Sequence, residues 1–136
     1  MSLPRCAVGT ELPALELPLD RSTIVATAMA SQDFEDVHHD PGAAEKRGMP
    51  DIFMSINSTN GFIDRYITDW AGPSSRILRV SLRLGVPNFP GDTMRMSGAV
   101  TEVDGDVVTI EVRGRNARGV HVSARVKVAP YEGGTR

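Results

Sequence analysis

A chain of 136 residues is long enough to bury one hydrophobic core and short for two domains of ordinary size. Its single cysteine, Cys6, excludes an internal disulfide framework, and no run approaches the ~20 apolar residues of a membrane helix. Fifteen basic side chains against seventeen acidic ones, in no block of like charge, and aromatics at only 5% argue against nucleic acid as a partner.

The N-terminus lacks the apolar core of a signal peptide, which together with the absence of a membrane span predicts a soluble cytoplasmic protein. Residues 1–11 carry no periodicity and are expected to be a flexible arm, residues 12–130 the folded domain, and 131–136 a tail. Leu12 to Leu19, interrupted by Pro13 and Pro18, can form only a short edge strand. Ser22 is a candidate N-cap for a helix to about Ser31, with Ile24, Val25, Ala28 and Met29 as its apolar stripe. The stretch Ser31–Pro41 is irregular and rich in charge. Asp40 is placed to cap one helical turn over Pro41–Arg47, which Gly48 closes. Asp51 then predicts the cap of the longest helix, and Gly72-Pro73 its stop. Ile52, Ile56, Ile63, Tyr66, Ile67 and Trp70 recur at helical steps between them, over roughly 28 Å at 1.5 Å per residue. Asn57, Asn60 and Gly61 are poor helix formers within it.

From Arg76 the apolar period changes to two. Leu78, Val80, Leu82 and Leu84 alternate with Arg79, Ser81 and Arg83, and the same pattern recurs from Met94, from Val108 and from Val120. Asp104-Gly105 reads as a tight turn and Asn116–Gly119 as a slightly longer one, while Pro87–Gly91 breaks the ladder. One long helix followed by a one-sided antiparallel meander gives an α+β fold in which the sheet wraps the helix. Exposed edges on such a sheet invite a second chain, so at least a dimer is expected, meeting through an edge strand or the polar sheet face.

Asp33 and His38 are the strongest candidates for chemistry. An imidazole titrates near neutral pH, and a carboxylate beside it can fix its tautomer or share a water with it. Five positions apart in an irregular segment, both can point into one pocket built by the rest of the chain; the same spacing also fits a solvated loop. His38, His39 and Asp40 are adjacent, and neighbouring residues rarely converge on one ion, so no metal is expected. His121 falls on the polar side of its strand and is expected at solvent or an interface. Met94 and Met96 face the core. Arg79, Arg83, Arg95 and Arg115 are candidate contacts for phosphates, although an arginine on a polar strand face is more often simply solvated.

The run Ser31-Gln-Asp33-Phe-Glu-Asp-Val-His38-His39-Asp40-Pro41, with Ala44 and Gly48 beyond it, resembles the signature of the MaoC-like (type 2, R-specific) enoyl-CoA hydratases, Ser-Gly-Asp-x-Asn-Pro-(Ile/Leu)-His-x-Asp-Pro. Phe89-Pro90-Gly91-Asp92-Thr93 is similar to that family's Pro-Gly-Asp-Thr strand start, and Arg115-Asn116-Ala-Arg-Gly119 to its Asn-x-x-Gly turn. The likeness covers about residues 12 to 130. It implies a single hot-dog domain, catalysis by Asp33 and His38, a role for Asn116 and the nearby arginines in binding, and no cofactor beyond the CoA of the substrate. The family's His-Gly falls on Ser55-Ile56, so the oxyanion donor would be the backbone N–H of Ile56. Departures from the signature, Gln32 and Glu35-Asp36 among them, are similar to a narrower group together with Asp51-Ile-Phe53, Arg65–Pro73 and Leu82–Pro87: the small subunits of actinobacterial steroid enoyl-CoA hydratases. That implies a bulky CoA thioester of the cholesterol side chain as substrate and a larger MaoC-like chain, lacking the dyad, as partner. A homodimeric fatty enoyl-CoA hydratase, a non-catalytic acyl-CoA-binding subunit and a thioesterase are the rival readings.

Overall fold

In the computed structural model, which describes residues 3–130, five strands form one antiparallel sheet in the order β1-β3-β4-β5-β2. The strands are β1 (Glu11–Pro18), β2 (Ser75–Leu84), β3 (Thr93–Asp104), β4 (Val107–Asn116) and β5 (Gly119–Pro130), with helices α1 (Arg21–Ala30), α2 (Pro41–Lys46) and α3 (Ile56–Ala71) between β1 and β2. Alternation does what the one-sided pattern predicts. Met94, Met96, Val100, Ile110, Val112, Val122, Val126 and Val128 are all buried on one face, against Ile63, Tyr66 and Ile67 of α3. Burying each such aliphatic side chain contributes about 1.5–3 kcal/mol, so this interface dominates the stability. Gly98 lies directly under the Tyr66 ring, where a Cβ would sit 3.2 Å from the ring edge. The Tyr66 hydroxyl donates to the carbonyl of Pro13 at 2.8 Å, beside the irregularity that lets β1 accommodate a proline. No helix among the described residues is long and apolar enough to cross a membrane.

Four expectations are corrected. The long helix starts at Ile56, with Ser55 as N-cap, rather than after Asp51. Asp51 is instead clamped by both guanidinium nitrogens of Arg21, at 2.7 and 2.8 Å, and residues 52–55 run extended with Ile52 and Met54 buried. Asp20, two residues before Ser22, caps α1. The N-terminal arm is tied down in its described part: Gly9 donates to the carbonyl of Val100, Val100 donates to that of Thr10, and Leu3 and Cys6 pack against the core. Finally, a register shift between Ile77 and Arg79 turns Leu78 outward, to 43% exposure, so the outer strand β2 has no fully buried residue. The expected tail, residues 131–136, lies outside the described residues.

Candidate active site

The segment linking α1 to α2 folds back on itself through a set of backbone and side-chain hydrogen bonds. Gln32 takes a left-handed conformation, φ 59°, which reverses the chain, and the Asp33 amide donates to the carbonyl of Ala28 at 2.8 Å. A 3-10 turn over Asp36–His38 then brings His38 round. His39 donates from Nε2 to the carbonyl of Asp33 at 2.8 Å, and the Asp40 carboxylate accepts from the Gly42 amide at the start of α2. These two side chains next to His38 therefore hold the loop in shape.

Asp33 and His38 meet. Asp33 Oδ2 lies 3.5 Å from His38 Nε2, and both side chains are largely buried. The other imidazole nitrogen, Nδ1, is 2.7 Å from the carbonyl of Phe53, an acceptor only, so Nδ1 carries a proton and Nε2 is the atom presented to Asp33. The Phe53 ring packs edge-on against the imidazole at 5.1 Å. Asp33 is held below the usual carboxylate range, first by the hydroxyl of Ser55, which donates to Oδ2, and then by the Glu35 amide and the two nearby histidines. Ser55 at the same time accepts from the Asn57 amide at 3.0 Å as the cap of α3. Its hydroxyl thus joins the positive end of a sixteen-residue helix to the carboxylate. The amide of Ile56, at the first position of that helix, belongs to the same turn.

The sequence pattern gave no sign of Ser55 as the partner of Asp33, twenty-two positions away. His121 was also misplaced: it is 2% exposed, between Val86 and Thr59. Its Nδ1 donates to the Val86 carbonyl at 2.7 Å, its Nε2 accepts from the Thr59 hydroxyl at 2.8 Å, and burial pushes its pKa down. The ring therefore braces the first turn of α3 against the end of β2. Asn116 is engaged in holding a turn: its amide nitrogen donates to Pro87 O and Asn88 Oδ1, and its oxygen accepts from the Arg118 amide. Arg95 pairs with Glu16 at 3.6 Å. Arg79, Arg83, Arg95 and Arg115 all lie exposed on sheet strands and none of them borders the dyad. Asp33, though not His38, lines a broad open depression of about 570 Å³ bordered by residues 32–36.

A central helix wrapped by a five-stranded antiparallel sheet is the hot-dog fold. The (R)-hydratase of A. caviae involved in PHA biosynthesis shares the fold, with a TM-score of 0.85 over 93% of this chain and 98% of that one at 21% identity. The crystal structure of the ChsH1–ChsH2 complex from Mycobacterium tuberculosis matches with a TM-score of 0.91 and 47% identity, covering 93% of this chain and 99% of that one. The 3-oxo-4,17-pregnadiene-20-carboxyl-CoA hydratase beta subunit of the same organism is 48% identical over 122 residues, 90% of this chain and 95% of that protein. No family model matches the chain. On the strength of that relative, the chain belongs to the MaoC-like hydratase family, in the group of these beta subunits.

Proposed function

We propose that this chain is the catalytic subunit of a hydratase that adds water across the double bond of a 2-enoyl-CoA thioester, with a steroid side chain as the acyl group and a larger MaoC-like chain as partner. The observation that carries the reading is the Asp33–His38 pair at 3.5 Å, with the imidazole oriented through Nδ1 by the Phe53 carbonyl and the carboxylate favoured in its ionised form by Ser55. The steroid substrate and the partner rest on the 48% identity to the pregnadiene-carboxyl-CoA hydratase beta subunit and on the likeness to one chain of a two-protein complex. An open depression beside Asp33 fits a site whose far wall belongs to that second chain.

The chemistry follows from which atoms face one another: the Phe53 carbonyl holds the Nδ1–H, and a second proton, on Nε2, is the one His38 delivers. A water held between Asp33 and Nε2 of His38 attacks the β-carbon as Asp33 takes its proton. The electron pair of the double bond moves into the thioester, and the carbonyl oxygen becomes an enolate oxygen. The Ile56 amide, at the positive end of α3, is the donor for that oxygen; one such donor is commonly worth ~3 kcal/mol. His38, as imidazolium, gives its Nε2 proton to the α-carbon, and transfer of one proton from Asp33 to His38 restores the pair. No cofactor is required beyond the CoA that the substrate carries.

The test is to assay hydration by the chain alone and with its larger partner, on a steroid 2-enoyl-CoA and on crotonyl-CoA. Turnover of the steroid thioester only with the partner is the expected result. Turnover of crotonyl-CoA by the chain alone would replace this reading with a homodimeric fatty enoyl-CoA hydratase.

A further inference from the structure

An imidazole is a costly group to bury, since an aliphatic side chain of similar size fills the same space with no polar atom to satisfy. His121 is nevertheless buried in β5, and beyond it Thr59 and Ser55 are buried too. The three lie in line from the sheet to the start of α3, and Ser55 carries the line on to Asp33. The close approach is built into the backbone. Gly85 donates to the His121 carbonyl, and a Cβ on that glycine would strike the carbonyl of Val120.

The direction of the hydrogen bonds is set by the ring. Val86 offers it only a carbonyl, so Nδ1 carries the proton and Nε2 is a bare acceptor. The Thr59 hydroxyl has one proton and gives it to Nε2 at 2.8 Å. A second acceptor stands within its reach, the Ser55 carbonyl at 3.4 Å, which already takes the Thr59 amide at 3.1 Å. A threonine hydroxyl that bonds the carbonyl four residues back often bends its helix. By taking that proton, His121 ties the first turn of α3 to the sheet and leaves the Ser55 carbonyl to the backbone. Asp92 is the charged group whose field reaches the ring, and Arg118 and the Phe89 amide hold it.

We propose that His121 is a positioning residue for the reaction, acting through Thr59 to set the first turn of α3, and with it the Ser55 hydroxyl on Asp33 and the Ile56 amide. Its effect on turnover rests on the hydratase reading above; its effect on Asp33 does not. Ser55 is the main cause of the low Asp33 pKa, so a displaced turn also lets that carboxylate titrate higher. A misplacement of about 1 Å at reacting groups can cost ~10²-fold in rate.

Two carboxamides separate the duties of the two ring nitrogens. His121→Gln can set an oxygen where Nε2 accepts, whereas His121→Asn can set an N–H where Nδ1 donates but leaves Thr59 without its acceptor. Thr59→Val keeps the shape and removes the hydroxyl. In the complex with the larger partner, kcat and KM on a steroid 2-enoyl-CoA, Tm, and the Asp33 carboxyl titration by carbon-13 NMR are measured for each. His121→Asn and Thr59→Val should lower kcat by about 10-fold to 10²-fold with KM within about twofold, and should move the Asp33 titration to higher pH. Combined, they should cost no more kcat than Thr59→Val alone, because both break one contact. His121→Gln should also melt lower, having lost Val86, yet keep kcat within about threefold of wild type and the Asp33 titration in place. Asparagine and glutamine variants that lose kcat alike would make His121 a structural brace and overturn the proposal, as would Thr59→Val with wild-type kcat and Asp33 titration. If His121→Asn fails to assemble, the isosteric Thr59→Val decides alone. A wild-type complex that hydrates no enoyl thioester would refute the hydratase reading, and the Asp33 titration would then decide the positioning by itself.

Discussion

Ser55 gives the sharpest test of how the fold prepares the site, because its one hydroxyl has two duties that different substitutions separate. Ser55→Ala removes the cap of α3, about 1 kcal/mol, and the bond to an ionised carboxylate that is only 15% exposed, about 1.5–3 kcal/mol. Together that is about 2.5–4 kcal/mol, and for a domain of this size a Tm lower by about 8–15 °C. Ser55→Gly restores most of the cap but not the bond, so it should melt a few degrees above the alanine variant. Both variants lose the main cause of the low Asp33 pKa. In both, the acid limb of kcat/KM for enoyl-thioester hydration should therefore move to higher pH by the same amount, whatever their difference in Tm. The measurements are thermal melts by circular dichroism and a pH–rate profile from the loss of enoyl absorbance. If the two variants keep the wild-type acid limb, Ser55 does not tune the reacting carboxylate, and the link from helix to dyad is wrong.

Three further outcomes are expected. Asp33→Asn preserves an oxygen for Ser55 to bond, so the melt should change little while hydration falls by about 10²–10⁴-fold; retained turnover would remove the dyad from the mechanism. Gly85→Ala places a Cβ 2.2 Å from the carbonyl oxygen of Val120, a backbone atom that cannot swing aside, and should lower unfolding free energy in urea by about 1–3 kcal/mol. His121 is kept neutral by burial, so the unfolded chain binds more protons than the folded one below its ordinary pKa of about 6.5. Its contribution is complete above that pH and is lost as pH falls beneath it, so a Tm that stays flat from pH 7 to 5 would contradict the neutral assignment.

What the sequence discloses and what it hides divide along the range of the interactions. Alternation of apolar residues is local, and the sheet, its single buried face and the wrapped helix were legible from it. The spacing of Asp33 and His38 fits a solvated loop as well as a pocket; what made the pair legible was the resemblance of residues 31–41 to the hydratase signature. The start of α3 was not, since Asp51 and Ser55 are both good local caps; Arg21, thirty positions upstream, decides between them by taking Asp51. His121 was misplaced for a similar reason. Its alternation points outward, but Gly85 and Val86 hydrogen-bond onto residues 120 and 121 and close over the ring. Leu78 failed because a register shift inverts one strand partway along, which no periodicity announces. The binding role expected of Asn116 reads differently once Pro87 and Asn88, distant in sequence, are found on its amide.

Gln32 carries a last consequence. Its left-handed backbone is a conformation that glycine adopts freely and that disfavours a side chain by roughly 1 kcal/mol. The chain tolerates that penalty immediately before the acid proposed to act on water, and in return a carboxamide lines the depression where glycine would leave bare backbone. The same bend both turns the chain into Asp33 and sets a hydrogen-bonding group beside it, so one dihedral angle couples the lining of the depression to the orientation of the acid.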